Sequence, residues 1–327
     1  MKKSQLDVLV IGSPCVDIVF GGMPHWPILG QEIYVSNFAI SAGAGFNTAA
    51  TLSRLGLRVG LLCELGNDFF SRFILDEMEK AGISHDFVLI RDYPLRAVSV
   101  CLSYEGERGF VSYADAHHGF GAQKIEMMSP GNSQKAGRSV PMLTQSLYQA
   151  LTVYDVDAVF MYAYPAMQPL LEVLAAHQGL PIFLDVGWYP DDLGESSMSA
   201  MIKDGTFVMP NQAEAALMTG VQAPEEAACL LAEHAQTAIV KMGARGAVAC
   251  QQGQLTYCAA MPVTEVIDTT GAGDAFNGGF IYGILKGYSL ADALRCGTIC
   301  GGLSTTALSG TAAVPQADEL ERLRVNL

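Results

Sequence analysis

Asp268-Thr269-Thr270-Gly271-Ala272-Gly273-Asp274-Ala275-Phe276 joins an anion-binding turn to a carboxylate at fixed distance. Gly271, Ala272 and Gly273 are small enough for their backbone N–H groups to converge on one anion. The apolar run that follows, Ala275-Phe276-Asn277-Gly278-Gly279-Phe280-Ile281, predicts a helix starting at that point. A helix N-terminus carries unpaired N–H donors and a partial positive charge, which suits a phosphate. Asp274 then falls in the first helical turn, beside the anion and placed to take a proton from an attacking hydroxyl. A phosphate stabiliser plus a base is the minimum apparatus for moving a phosphoryl group onto an alcohol. The bland alternative is an ordinary glycine-containing turn in which Asp274 only starts a helix, a place Asp favours anyway.

Composition narrows the partners. The 327 residues are 50% hydrophobic and 16% charged, with a mean hydropathy of +0.27. That suffices for a well-buried core in one large domain, or in a domain with a small appendage. The net charge is −14 and the pI about 4.7, with no Lys/Arg-rich run, so neither nucleic acid nor an anionic membrane is an expected partner. Lys2 and Lys3 precede an apolar stretch that is too short for a signal peptide and is soon interrupted by Asp17. No window is long enough for a membrane span. Eight cysteines lie scattered without metal-binding spacing, as expected of reduced core residues in a cytoplasmic protein. Cys296 and Cys300 share a helix face, yet nothing nearby supplies the two further ligands of a zinc site.

Strand and helix patterns alternate through most of the chain. Residues 7–12 form a continuous apolar run typical of a buried parallel strand. A helix over 47–55 stops at Gly56, a plausible terminating glycine, and 59–65 reads as a strand. Gly66-Asn67-Asp68 then turns into a helix carrying Phe70, Ile74 and Met78 that ends at Gly82. Strands follow at 158–162, 182–185, 206–209 and 238–241, and helices at 169–177, 212–218, 225–234, 276–285 and 290–308. This order predicts an α/β fold with a mostly parallel central sheet covered by helices on both faces. Two segments, 14–40 and 91–113, are richer in β-formers and turns, the second reading as a hairpin around Gly106. They predict a small β-sheet projecting from a body made of 1–13, 41–90 and 114–327. Residues 121–145 read as an irregular surface excursion. The glycines of the last two helices point chiefly to close helix packing, since glycine inside a helix costs up to about 1 kcal/mol relative to alanine.

Four further pieces sharpen the phosphoryl-transfer reading. Asp17 follows the first strand, where an α/β body presents ligand groups and where a carboxylate can accept hydrogen bonds from a polyol. Ser41-Ala42-Gly43-Ala44-Gly45-Phe46-Asn47 is a glycine-rich loop running into a helix, with Asn47 able to donate to a ligand hydroxyl. In Pro210-Asn211-Gln212-Ala213-Glu214, Asn211 is a plausible helix cap and Glu214 can hold a magnesium-bound water or simply complement the helix dipole. Val240-Lys241-Met242-Gly243-Ala244-Arg245-Gly246 follows a strand, and its glycines allow close approach of a phosphate chain.

Taken in this order the pieces resemble the ribokinase-like (PfkB-type) family of carbohydrate and nucleoside kinases, from residue 7 to about residue 315. The resemblance implies an ATP-dependent kinase acting on a hydroxyl of a small carbohydrate, such as a sugar, sugar acid or nucleoside. Asp274 is then the general base, and Gly271, Ala272 and Gly273 form the anion hole. Asp17, Gly43 and Asn47 hold sugar hydroxyls. Asn211, Glu214, Lys241, Gly243 and Gly246 serve the nucleotide, with Mg²⁺ held by Glu214 through water. Asp268 and Thr270 are placed for a monovalent cation such as K⁺. The segments 14–40 and 91–113 become a β-lid that closes over the sugar and, in the family, often mediates a homodimer.

The chain departs from the family pattern in three places. Ala42 stands where a first glycine is usual, Gly187 where the Asp-x-Asn element of Asp185 has Asn, and Ala313 where a hydroxyl side chain helps hold the cation. The first two bear on the acceptor and the third on K⁺ dependence, but none touches the base or the anion hole. An oxidoreductase reading fails because Thr48 occupies the third glycine position after Gly43-Ala44-Gly45, and the Walker-type lysine motif is absent. A non-catalytic sugar or nucleotide sensor on the same fold remains the alternative, whose signature, loss of Asp274, is not seen.

Overall fold

The computed structural model describes residues 3–104, 107–115, 139–187, 193–194 and 200–326. In chain order the strands are β1 (Ser4–Ile11), β2 (Pro14–Gly21), β3 (Asn37–Ala44), β4 (Val59–Leu65), β5 (Val88–Ile90), β6 (Ala97–Tyr104), β7 (Glu107–Ala114), β8 (Tyr154–Ala163), β9 (Ile182–Val186), β10 (Phe207–Val208), β11 (Thr237–Lys241), β12 (Ala247–Gln251) and β13 (Gln254–Cys258). The helices are α1 (Gly45–Arg54), α2 (Phe69–Lys80), α3 (Ser139–Val153), α4 (Gln168–Ala175), α5 (Gln212–Thr219), α6 (Pro224–Leu231), α7 (Ala272–Leu285), α8 (Leu290–Ser304) and α9 (Ala317–Asn326).

The large sheet runs β13-β12-β11-β10-β9-β8-β1-β4-β5, parallel from β11 to β5, with an antiparallel hairpin of β12 and β13 at one edge. The period-two geometry of β1 explains its unbroken apolar run. Val8 and Val10 pack with Phe46, Leu52, Phe276 and Phe280 on one face. Leu9 and Ile11 pack with Leu143, Leu147, Leu170 and Leu171 on the other. Both faces are thus dry, and the helices lie on both sides as the alternation predicts.

The second sheet, β3-β2-β6-β7, is the lid. The pairing of β6 with β7 is antiparallel from Ala97 opposite Ala114 to Tyr104 opposite Glu107. The Gly106 tip lies outside the described residues. Residues 41–44 are not loop, as the sequence suggests, but the second half of β3. They pair with Pro14–Asp17 of β2, so the glycine-rich stretch belongs to the lid sheet until α1 begins. Ala44 turns the chain there at φ 53 and ψ −128, a conformation an alanine adopts only under tertiary constraint.

Three other elements differ from the reading of the sequence. Helix α3 occupies 139–153, overlapping the end of the stretch read as irregular; the rest of that stretch, 121–138, lies outside the described residues. The spacing of Leu143, Leu147, Ala150 and Leu151 gives α3 the apolar face that covers the sheet. The β12–β13 hairpin and α9 are short, locally ambiguous patterns that only their neighbours define. Close packing of the glycine-rich helices is confirmed: a Cβ on Gly283 would come within 2.7 Å of Ala293 Cα, and one on Gly279 within 2.5 Å of the Cys296 carbonyl oxygen. All eight cysteines are free, five of them buried, and Cys229 and Cys250 bring their sulfurs to 2.7 Å.

Candidate active site

The C-terminal ends of the parallel strands converge on the start of α7, as ligand groups do in open α/β sheets. Gly271 caps α7 at φ 72, the left-handed region, and Asp274 is the third residue of the helix. A Cβ on Gly271 would meet Gly310 Cα at 2.6 Å and Asn47 Nδ2 at 2.9 Å, so both backbone conformation and space demand glycine. The Ala272 N–H donates to the Thr269 carbonyl at 3.3 Å. The N–H groups of Gly273 and Asp274 have no acceptor within the helix and face the turn.

Asp274 is held from two sides. Tyr162, near the end of β8, donates its hydroxyl to Oδ1 at 2.6 Å, and Asn47 on α1 donates Nδ2 to Oδ2 at 3.1 Å. Thr48 Oγ1 adds a bond to the Asp274 carbonyl at 3.4 Å. Burial raises the Asp274 pKa above the usual carboxylate value, while the bonds from Tyr162 and Asn47 oppose that rise. A carboxylate made more basic and aimed by two donors is suited to accept a proton.

On the lid side, Asp17 sits on β2 opposite Ser41 and is buried. Cys15 Sγ lies 3.4 Å from its Oδ1. No cation reaches Asp17 within ion-pair distance among the described residues. Burial and the charges of Asp274 and Asp268 push its pKa up to about 6. Gly43, on the facing strand, leaves the room that this carboxylate fills, since a Cβ there would overlap Asp17 Oδ2. The Oδ1 of Asn47 and the Oγ of Ser41 are buried without partners among the described residues, two polar atoms that lack the hydrogen bonds burial normally requires. The structure thus packs Gly43 against Asp17 with Ser41 opposite, and places Asn47 on Asp274.

On the other side, Asn211 and Glu214 form a reciprocal capping box at the start of α5: Glu214 N–H donates to Asn211 Oδ1 at 3.0 Å and Asn211 N–H to Glu214 Oε2 at 2.8 Å. Glu214 Oε1 makes no hydrogen bond among the described residues. Burial and the nearby Asp185 push the Glu214 pKa up to about 7, against the pull of Lys241. Lys241, at the end of β11, donates Nζ to Asp185 Oδ2 at 2.7 Å and to Asn277 Oδ1 at 3.3 Å. Asn277 on α7 in turn donates to Asp185 Oδ2 at 2.5 Å. The same ammonium lies 3.5 Å from where a Cβ on Gly273 would stand, which sets it beside the anion turn. Gly243 and Gly246 shape the turn after β11 at φ 58 and 89, and Arg245 ties it to Gln212 of α5.

Asp268 and Thr270 brace loops in this structure. Asp268 Oδ1 accepts from the Thr270 N–H at 2.9 Å and Oδ2 from the Ser309 N–H at 3.0 Å, and the Thr270 hydroxyl lies 3.4 Å from Cys101 Sγ. Each carboxylate oxygen of Asp268 thus has one backbone donor. The described residues contain no cluster of three or more His, Cys, Asp or Glu able to hold a metal directly. For Mg²⁺ the chemistry fits better: Glu214 uses Oε2 in the capping box and has Oε1 left to accept from a metal-bound water.

Tyr162, Asp185 and Asn277 are side chains that the sequence reading leaves out of the site. Asp185 carried a signal in its likeness to the Asp-x-Asn element. Asn277 lies one turn after Asp274 on the same helix face, and Tyr162 has only its place at a strand end. The lid contributes Arg108, which donates to Thr269 Oγ1 at 2.6 Å and so touches the loop before the anion turn. Arg96 instead pairs with Asp115 within the lid.

A mostly parallel sheet with a four-stranded lid and an acid at the N-terminus of a glycine-capped helix defines a ribokinase-like phosphotransferase. The family model of the pfkB family carbohydrate kinases matches residues 7–317, and the chain belongs to that family. It is a sugar kinase by that membership. The chain is 24% identical to a ribokinase from Haemophilus influenzae over 98% of its length and 97% of that protein's. It is 29% identical to a 2-dehydro-3-deoxygluconokinase from Bacillus subtilis, over 85% of each chain. Among solved structures, Arabidopsis thaliana ribokinase complexed with ribose and ATP superposes with a TM-score of 0.76 at 20% identity, covering 98% of this chain and 99% of that one. No helix among the described residues is long and apolar enough to cross a membrane.

Proposed function

We propose that this kinase moves the terminal phosphoryl group of ATP onto a hydroxyl of a small neutral carbohydrate, with Asp274 as general base. The observation that carries the reading is what stands at the start of α7: Asp274 lies in its first turn, and the Lys241 ammonium lies 3.5 Å from where a Cβ on Gly273 would stand. The acceptor hydroxyl gives its proton to Asp274, its oxygen bonds to phosphorus, and the bond to the ADP oxygen breaks. The anion turn at 271–273, through the first-turn N–H groups of α7, and Lys241 stabilise charge on the transferred group. Asp17, Asn47 and Gly43 hold the sugar, and Asn211, Glu214, Gly243 and Gly246 serve the nucleotide side. Bound at Glu214 through water, Mg²⁺ supplies positive charge against the phosphate oxygens.

A neutral acceptor suits the charge around the pocket. Asp274 and Asp268 both bring negative charge to Asp17, while Lys241 is already paired with Asp185. A sugar acid is the second reading, favoured by Arg108, whose guanidinium is held at the pocket edge by Thr269 and could pair with a carboxylate. A thermal-shift screen of neutral sugars and sugar acids with a non-hydrolysable ATP analogue, followed by ADP release on the hits, separates the two. Stabilisation by neutral sugars alone is expected. ATP-dependent turnover of no sugar would favour the sensor instead.

Glu214→Gln is expected to raise the Mg²⁺ concentration for half-maximal rate several-fold, roughly three- to tenfold. The amide keeps the capping bond to Asn211, so the helix start survives the change. If the variant's Mg²⁺ titration overlays that of the parent, Glu214 is only a helix cap.

A further inference from the structure

We propose that Tyr162 is the positioning residue for the base: its hydroxyl holds Asp274 Oδ1 so that the carboxylate stays ionised and aimed at the acceptor. This rests on the assignment of Asp274 as base. The geometry begins with β8, where alternation places Tyr162 on the same face as Phe160, the face covered by α1 and α7. Being the last but one residue of the strand, Tyr162 reaches past the core to the first turn of α7. Its ring is fixed by an edge contact with Phe160 at 5.3 Å and a stacked contact with Tyr164 at 6.4 Å between centroids. The hydroxyl of this constrained ring donates to Asp274 Oδ1 at 2.6 Å. With Asn47 holding the other oxygen at 3.1 Å, rotation of the carboxylate is blocked from both sides.

The surroundings show why such a donor is needed. Asp185 of β9, Asp17 of β2 and Glu214 of α5 all bring negative charge towards Asp274, and the Cys15 thiol lies on the same side. Lys241 of β11 is the cation that favours the ionised base, but it is shared with Asp185 and Asn277. Burial and like charge therefore favour the protonated acid, which could not take a proton from the acceptor. Hydrogen bonding to the charged form works in the opposite sense. Tyr162 itself stays protonated, because burial and the charge of Asp274 push its pKa well above the ordinary tyrosine value. It is a permanent donor.

The test is Tyr162→Phe, which removes one oxygen and keeps the ring. Profiles of kcat and kcat/KM against pH are measured with a sugar that turns over, alongside the melting temperature and Asp274→Asn. Loss of the donor raises the Asp274 pKa, so the acid limb of both profiles should move to higher pH. The rate should fall roughly tenfold on that limb and less on the alkaline side, with the sugar KM nearly unchanged. A profile that overlays the parent's overturns the inference. So does a fall in kcat equal at all pH values, which marks a merely structural role, or a rise in sugar KM alone, which makes Tyr162 a sugar contact. An active Asp274→Asn would instead remove the base assignment beneath it, an outcome distinct from an inactive Asp274→Asn with an unshifted Tyr162→Phe.

Discussion

Asp274→Asn should lower kcat by roughly two to four decades while leaving the fold and ATP binding largely intact. The side chain is isosteric, and it lies in the first turn of α7 directly after the anion turn. An amide there can still accept from Tyr162 or Asn47 through its oxygen, so the helix start and the contacts of Gly271 with Gly310 need not rearrange. What is lost is the proton acceptor. The acceptor hydroxyl would then attack with its proton in place: Asp268 braces two loops, Asp185 is committed to Lys241 and Asn277, and Asp17 and Glu214 are assigned to the sugar and the nucleotide side. Steady-state kinetics with a melting curve decide the matter. Retention of a tenth or more of the parent kcat would sink the base assignment.

Asp17→Ala comes second in expected size. A buried polyol group left unpaired costs about 1–3 kcal/mol, so kcat/KM for the sugar should fall roughly tenfold or more with the ATP KM nearly unchanged. Because Asp17 is buried near Asp274 and Asp268, with no cationic partner among the described residues, its ionised form is disfavoured. Its pKa is raised to about 6, so the folded protein binds more protons than the unfolded chain between the ordinary carboxylate pKa and that value. Stability contributed by this group therefore falls as pH rises through that window. The alanine variant should accordingly melt no lower than the parent at neutral pH, which separates a loss of sugar binding from a loss of fold. Weaker ATP binding with an unchanged sugar KM would reverse the assignment of the two halves of the site.

Two kinds of information in the chain account for how much could be read without coordinates. Local patterns decided a great deal. The unbroken apolar run of β1, the alternation from 158 to 241 and the Gly-Ala-Gly-Asp turn each carry their own physics within about ten residues, and the α/β body and the start of α7 followed from them. Asn211 and Glu214 were legible for the same reason, since a capping box spans one helical turn. The tertiary structure alone decided which distant groups meet. Asp274 receives Asn47 from 227 residues away and Tyr162 from 112, and Lys241 finds Asp185 across 56. No periodicity encodes such pairs. They exist because strand ends from opposite parts of the chain are packed side by side, so partners are set by sheet order. The same cause moved 41–44 from loop to lid strand: glycine and alanine there have weak strand preference, and it is pairing with β2 that holds them extended. Residue types and their local spacing determined what chemistry this chain could perform, and the packing of β1, β8, β9 and β11 against α7 decided which side chains surround it.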